Sequence, residues 1–176
     1  MDEVKKGFTL VELLVVVAIL GVLAAVGIVA YSGFLGKAKE NAVKTNHSNI
    51  VSYIKSELYK CEFGNTNIFI DGNIKQDCYG IESSAAPERV VVVSASKALQ
   101  SFAQNPYGII REDFGSIAVR ESCTPQGDIY LGYNCIETAG AKLGVYSCYK
   151  LPCEEGGDWR TSPNVLRTEI NPKYWE

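Results

Sequence analysis

Residues 5–34 read KKGFTLVELLVVVAILGVLAAVGIVAYSGF, and the rest of the chain is arranged behind them. Lys5 and Lys6 come first, then a Gly7–Phe8 junction, then an apolar run that holds one carboxylate, Glu12. From Leu13 to Ala30 no residue is charged or polar, and the uncharged stretch continues to Gly36, where Lys37 ends it. About two dozen residues in a helix cover roughly 36 Å, enough to cross a bilayer core of roughly 30 Å. An acidic group just inside such a helix costs on the order of 2.5–3.5 kcal/mol even on the mild insertion scale, so it is expected to be paired and functional. Cutting the chain between Gly7 and Phe8 would place a new α-amine one helical turn from Glu12, at the positive end of the helix dipole. Glu12 could then neutralise its own amine or that of a neighbouring copy, and only the second choice builds a polymer.

The run Gly7-Phe8-Thr9-Leu10-Val11-Glu12, followed by an apolar helix, resembles the N-terminus of type IV pilins and their pseudopilin relatives. The short leader with Phe after the cut is similar to the type IVa subclass. The resemblance implies that a prepilin peptidase cuts after Gly7 and methylates Phe8, and that Glu12 is the assembly carboxylate, pairing with a neighbouring subunit's amine. It covers roughly the first third of the chain; the remainder matches only in layout. Where the family usually carries a proline, this chain has Val29, so any melting of the helix in a filament would rely on Gly21 and Gly27. The same segment could also be read as an ordinary secretory signal cut near Ile28-Val29-Ala30, or as a plain single-span anchor; neither of these needs Glu12.

A chain of 176 residues leaves one small domain after this helix. The net charge of −3 and the pI near 5.3 give no global basic field for nucleic acid. Fibres of this family serve twitching, adhesion, DNA capture and phage attachment, and nothing in the composition indicates DNA. Six cysteines in a chain exported from the cytoplasm predict three disulfides. Their spacings fit no zinc pattern, and the lone His47 falls in a polar helical segment. The spacing Asp71, Asn73, Asp77 suggests a calcium loop only in part, since the EF-hand glutamate is missing and turn formation explains the same residues. No metal and no cofactor is expected, and with no nucleophile motif or phosphate loop, no enzyme.

From Lys37 to about Glu62 the helix should continue with an amphipathic surface, Val43, Ile50, Ile54, Leu58 and Cys61 falling near one face. Cys61 to about Ser84 reads as loop, pinned by a Cys61–Cys78 bridge. Ser84 to Asn105 reads as a second helix with Pro87 in its first turn, although the run Val90 to Val93 is also compatible with a strand. Gly115 to Lys150 alternates as strands around a Pro125–Asp128 turn, giving a three- or four-stranded antiparallel meander with Val165 to Ile170 as the fourth candidate. Tyr130, Tyr133, Tyr146 and Tyr149 are expected as cross-strand partners. Four cysteines allow three pairings; Cys123–Cys135 with Cys148–Cys153 is the preferred one.

The expected fold is α+β: a long N-terminal helix packed on a small antiparallel sheet, stapled by disulfides. Three segments follow: a leader at 1–7, a hydrophobic assembly or transmembrane half-helix at 8–36, and a globular domain at 37–176 that includes the amphipathic half-helix. The expected function is that of a structural subunit of a helical type IV pilus filament. Its partners would be further copies of itself, a prepilin peptidase, the inner-membrane assembly machinery, and the membrane before assembly. The precursor would sit in the inner membrane with its globular part periplasmic, and the assembled fibre would lie at the cell surface. Two other readings are a pseudopilin of a type II secretion system or minor pilin, and a membrane-tethered periplasmic binding module.

Overall fold

The computed structural model describes residues 7–71, 74–100, 102, 104–108, 119–120, 131–153 and 161–171. It resolves into two compact units, Met1–Ala38 and Lys39–Glu176. Helix α1 spans Leu10–Glu62 and is helical through Gly27 and Val29. It ends where glycine becomes necessary. Gly64 has φ +83°, its N–H donates to Cys61 O at 3.0 Å, and the N–H of Asn65 reaches back to Lys60 O at 3.0 Å. These two bonds are those of a Schellman cap.

In the second unit the stripe read from the sequence is buried: Val43, Ile50, Ile54 and Leu58 all lie in the core. Two further residues of α1, His47 and Glu57, are buried with them. The segment expected as loop after Cys61 is more ordered than its turn-rich composition suggested. It forms a hairpin of β1 (Asn67–Asp71) and β2 (Ile74–Asp77), then a short helix α2 (Cys78–Glu82). Polar turn formers hid the two apolar residues that matter, Ile68 and Phe69, both fully buried. Asp77, read as a turn residue, caps α2 by accepting the Gly80 N–H at 3.2 Å. Helix α3 runs Pro87–Ala98 with Pro87 at its start, so the valine run is helical, and it buries Val91, Val92 and Ala95.

The main sheet has the order β3-β4-β5-β6, with β3 at Val119–Arg120, β4 at Asn134–Ala139, β5 at Lys142–Cys148 and β6 at Val165–Ile170. β4, β5 and β6 pair antiparallel, with Ile136 opposite Val145 and Val145 opposite Thr168. The expected all-antiparallel meander needs one correction, because β3 pairs parallel to β4. A parallel neighbour requires a crossover rather than a hairpin, and the turn signal at 125–128, which lies outside the described residues, pointed to a hairpin.

Alternation along β5 divides the core in two. Leu143 and Val145 join Ile50, Ile54, Phe69, Val91 and Ile170 in the larger cluster. Tyr146 and Cys148 point the other way, into a second cluster with Cys135, Cys153 and Val165. One face of the sheet thus covers the amphipathic half of α1, as its periodicity predicted.

Candidate functional site

The first unit is an exposed apolar helix. Phe8 is 87% exposed, and Leu10 through Leu23 stay between 48% and 79% exposed at every large apolar position. Among the described residues, α1 contains the one stretch long and apolar enough to cross a membrane, and none of that stretch is buried. Gly7 and Phe8 are exposed and lie outside the helix.

Glu12 sits in the first turn of α1, and its surroundings show a role the sequence reading overlooked. Its carboxylate accepts the Thr9 N–H at 2.8 Å and the Thr9 hydroxyl at 2.9 Å, while the Glu12 N–H donates to Thr9 Oγ1 at 3.3 Å. This is a capping box, the reciprocal pairing of a Ser/Thr at the N-cap with an acid three residues on. The signal was legible as Thr-x-x-Glu at residues 9–12. Within its own chain, Glu12 thus ties up donors at its own helix start.

Two of the expected disulfides are in place. Cys61–Cys78 joins the end of α1 to the start of α2, and Cys148–Cys153 closes a short loop after β5. Cys135 is also disulfide-bonded; its expected partner Cys123 lies outside the described residues. Tyr130 lies outside them as well. Tyr133 and Tyr146 are buried, the latter between Cys135 and Arg167 on the neighbouring strands. Tyr149 departs from the cross-strand role. It follows β5, and its ring lies under the Lys44 ammonium at 4.2 Å. Its carbonyl accepts the Tyr107 hydroxyl at 2.6 Å, and Lys39 in turn lies 5.6 Å from the Tyr107 ring. These cation–π contacts tie the first turns of α1 in this unit to the loops beside the sheet.

His47 is the other residue whose role the sequence hid. It falls in a polar stretch yet occupies the inward stripe, at the four- and three-residue spacings Val43, His47, Ile50, Ile54. Its Nδ1 bonds Ser147 Oγ at 2.7 Å and its Nε2 bonds Thr168 Oγ1 at 2.8 Å. Ser147 donates its own proton to Asn134 Oδ1 at 2.5 Å, so its oxygen accepts from His47 Nδ1–H, and Nε2 accepts from Thr168. One neutral imidazole thus links α1 to β5 and β6, and through Ser147 to β4. Burial lowers its pKa from the ordinary 6.5 to about 4.

Residues 4–28 match the family model of the prokaryotic N-terminal methylation motif. The chain is 33% identical over 79 residues to the type IV major fimbrial protein FimA of Dichelobacter nodosus, a match covering 45% of this chain and 44% of that protein. It is 29% identical over 121 residues to the type IV major alpha-pilin of Moraxella bovis, covering 66% and 73%. Over 39 residues it is 49% identical to the type IV major pilin protein PilE1 of Neisseria gonorrhoeae, covering 22% and 24%. The match thus spans less than half the length of the fimbrial protein. No solved structure matches. The chain thus carries the methylation motif at its head and is similar, over part of its length, to type IV major pilins and a fimbrial protein.

Proposed function

We propose that this chain is a structural subunit of a type IV pilus. The observation that supports it is the juxtaposition at the N-terminus. An exposed Gly7–Phe8 junction precedes the exposed apolar stretch of α1, whose lone acid, Glu12, lies in the first turn, inside a matched methylation motif. In this reading the precursor lies in the inner membrane with Lys5 and Lys6 on the cytoplasmic side and the second unit in the periplasm. A prepilin peptidase cuts after Gly7 and methylates the amine of Phe8. That amine and the Glu12 carboxylate of the neighbouring copy then pair as the inner-membrane assembly machinery adds each subunit. Apolar helices form the core of the fibre, where the small residues Gly21, Ala24, Ala25 and Gly27 permit close approach. Such heterologous contacts generate an open helix rather than a closed ring. The relatives are named as major pilins and a fimbrial protein, which favours a pilus subunit over a secretion pseudopilin.

Mass spectrometry of the native N-terminus tests the processing: the expected species begins at N-methylated Phe8. Imaging of cells with and without the chain tests the assembly, and surface fibres should vanish with it. Native protein that still starts at Met1 and stays a single copy in the bilayer overturns the reading. Unchanged fibres accompanied by lost secretion would point instead to a pseudopilin.

A further inference from the structure

Two lysines and two tyrosines interlock at one end of the second unit. Lys44 Nζ stands 4.2 Å from the centre of the Tyr149 ring, and Lys39 Nζ 5.6 Å from that of Tyr107. The Tyr107 hydroxyl donates to the Tyr149 carbonyl at 2.6 Å, and the Tyr149 hydroxyl to the Pro163 carbonyl at 2.9 Å. Both phenols thus turn their polar tips into the unit and hold the two ammoniums by their ring faces. Neither lysine has a carboxylate partner among the described residues. Directly after Tyr149, the residues Lys150, Leu151 and Pro152 are all exposed. Glu40 is the one acid in the described segments that meet here, 39–44, 104–108, 149–153 and 161–164.

Chain length decides what this end meets. The uncharged run ends at Gly36 and Lys39 follows three residues later, so at most about 11 Å of backbone separates them. The headgroup layer on each side of a bilayer is roughly 5–7 Å deep. With the apolar run across a bilayer, Lys39 cannot leave the neighbourhood of the headgroups, and Tyr107, Tyr149 and Leu151 are packed with it. The exposed rings of Phe63 and Tyr79 carry no such constraint, because Lys44 and Glu62 are separated along α1 by roughly 27 Å. Tyrosine rings and lysines with long apolar stems suit the boundary between hydrocarbon and water, and ammonium donors suit lipid phosphate oxygens. We propose that this end of the second unit, through Lys39, Lys44, Tyr107, Tyr149, Lys150 and Leu151, docks on the phospholipid headgroups of the bilayer that α1 crosses. The docking orients the unit before assembly, and it rests on the membrane-embedded precursor proposed above.

The test places the full chain in discs of phosphatidylcholine doped with a lipid that carries a nitroxide on its headgroup, and reads line broadening in the amide NMR spectrum. The amides of Tyr107, Tyr149 and Leu151 should broaden several-fold more than those of Gly64, just past the end of α1, and Gly140, in the turn between β4 and β5. Leu151→Asp and Lys150→Glu, both at exposed positions, should each cut that broadening several-fold with the rest of the spectrum unchanged. Phe63→Asp, at an exposed apolar residue of the other end, should not. A loose tether gives equal broadening at every surface amide and no response to either loop variant; each of these results overturns the proposal. So does stronger broadening at Gly64 than at Leu151, which would put the other end on the bilayer. A second lipid, with its nitroxide deep in the acyl chain, separates the docking from the membrane span beneath it. Broadened methyl signals at Val15–Leu23 with none at Leu151 in the headgroup-labelled discs refute the docking alone, while unbroadened methyls refute the span and the docking together.

Discussion

The side chain of Glu57 accepts the backbone N–H of Phe69 at 2.8 Å, reaching from the last turns of α1 to a strand twelve residues further along the chain. Both residues are buried, and Phe69 has φ +52°, a left-handed backbone that a bulky residue adopts only under constraint. The bulge it makes in β1 turns its ring into the core, 6.1 Å from that of Tyr53. Lys60 neutralises the other carboxylate oxygen of Glu57.

Glu57→Ala should therefore cost the second unit about 2–3 kcal/mol, because it leaves the Phe69 N–H buried without an acceptor at a strained position. Glu57→Gln keeps an acceptor oxygen and should cost less. Chemical denaturation of the two variants beside the parent measures both; equal and negligible losses would mean that the hairpin is not held from α1.

His47 makes the stability of this unit depend on pH. Its folded pKa of about 4 lies below the ordinary 6.5, so between those values the unfolded chain binds the extra proton. Its contribution is whole above pH 6.5, falls as pH drops through the window, and is fully lost below about 4. A tenfold change in proton affinity corresponds to about 1.4 kcal/mol; discounting for partial solvent access, the loss is on the order of 2 kcal/mol. His47→Gln should flatten this part of the curve, read by urea melts from pH 7 to pH 4.

Thr9 and Glu12 separate capping from assembly. Thr9→Ala removes the N-cap and should cost the start of the helix about 1 kcal/mol while leaving filaments. Glu12→Gln keeps an oxygen that can accept from Thr9 but removes the charge, so filaments should disappear while the folded second unit persists. Electron microscopy of fibres from cells with each variant decides, and normal fibres from Glu12→Gln would sink the amine pairing.

Gly132 is the most restricted glycine in the described residues. It has φ +83°, and a Cβ there would lie 2.0 Å from Asn105 Oδ1. Asn105 is itself committed, donating to the Leu131 carbonyl at 2.9 Å and accepting the Tyr107 N–H at 2.9 Å. Gly132→Ala should lower stability by about 2–4 kcal/mol, combining backbone strain with displacement of a buried amide. Thermal unfolding measures it; a cost below that of an ordinary surface change would show that the loop yields.

The sequence by itself determined the N-terminal half and the helical register. An uninterrupted apolar run with one acid, a Gly–Phe junction and a stripe at Val43, Ile50, Ile54 and Leu58 are local patterns, and each is set by residues within a few turns of one another. It also carried β6 and the bridge between Cys61 and Cys78. Other features came from tertiary structure alone. His47 and Glu57 look like surface residues until strands from elsewhere bring hydroxyls and an amide to them, because a polar side chain is buried only where a distant partner satisfies it. The parallel β3 and the left-handed Phe69 have the same origin: pairing across the sheet and packing against α1 outweigh what neighbouring residues prefer. Burial is a property of the assembled core, so the residues that close it were fixed only when the sheet met the helix.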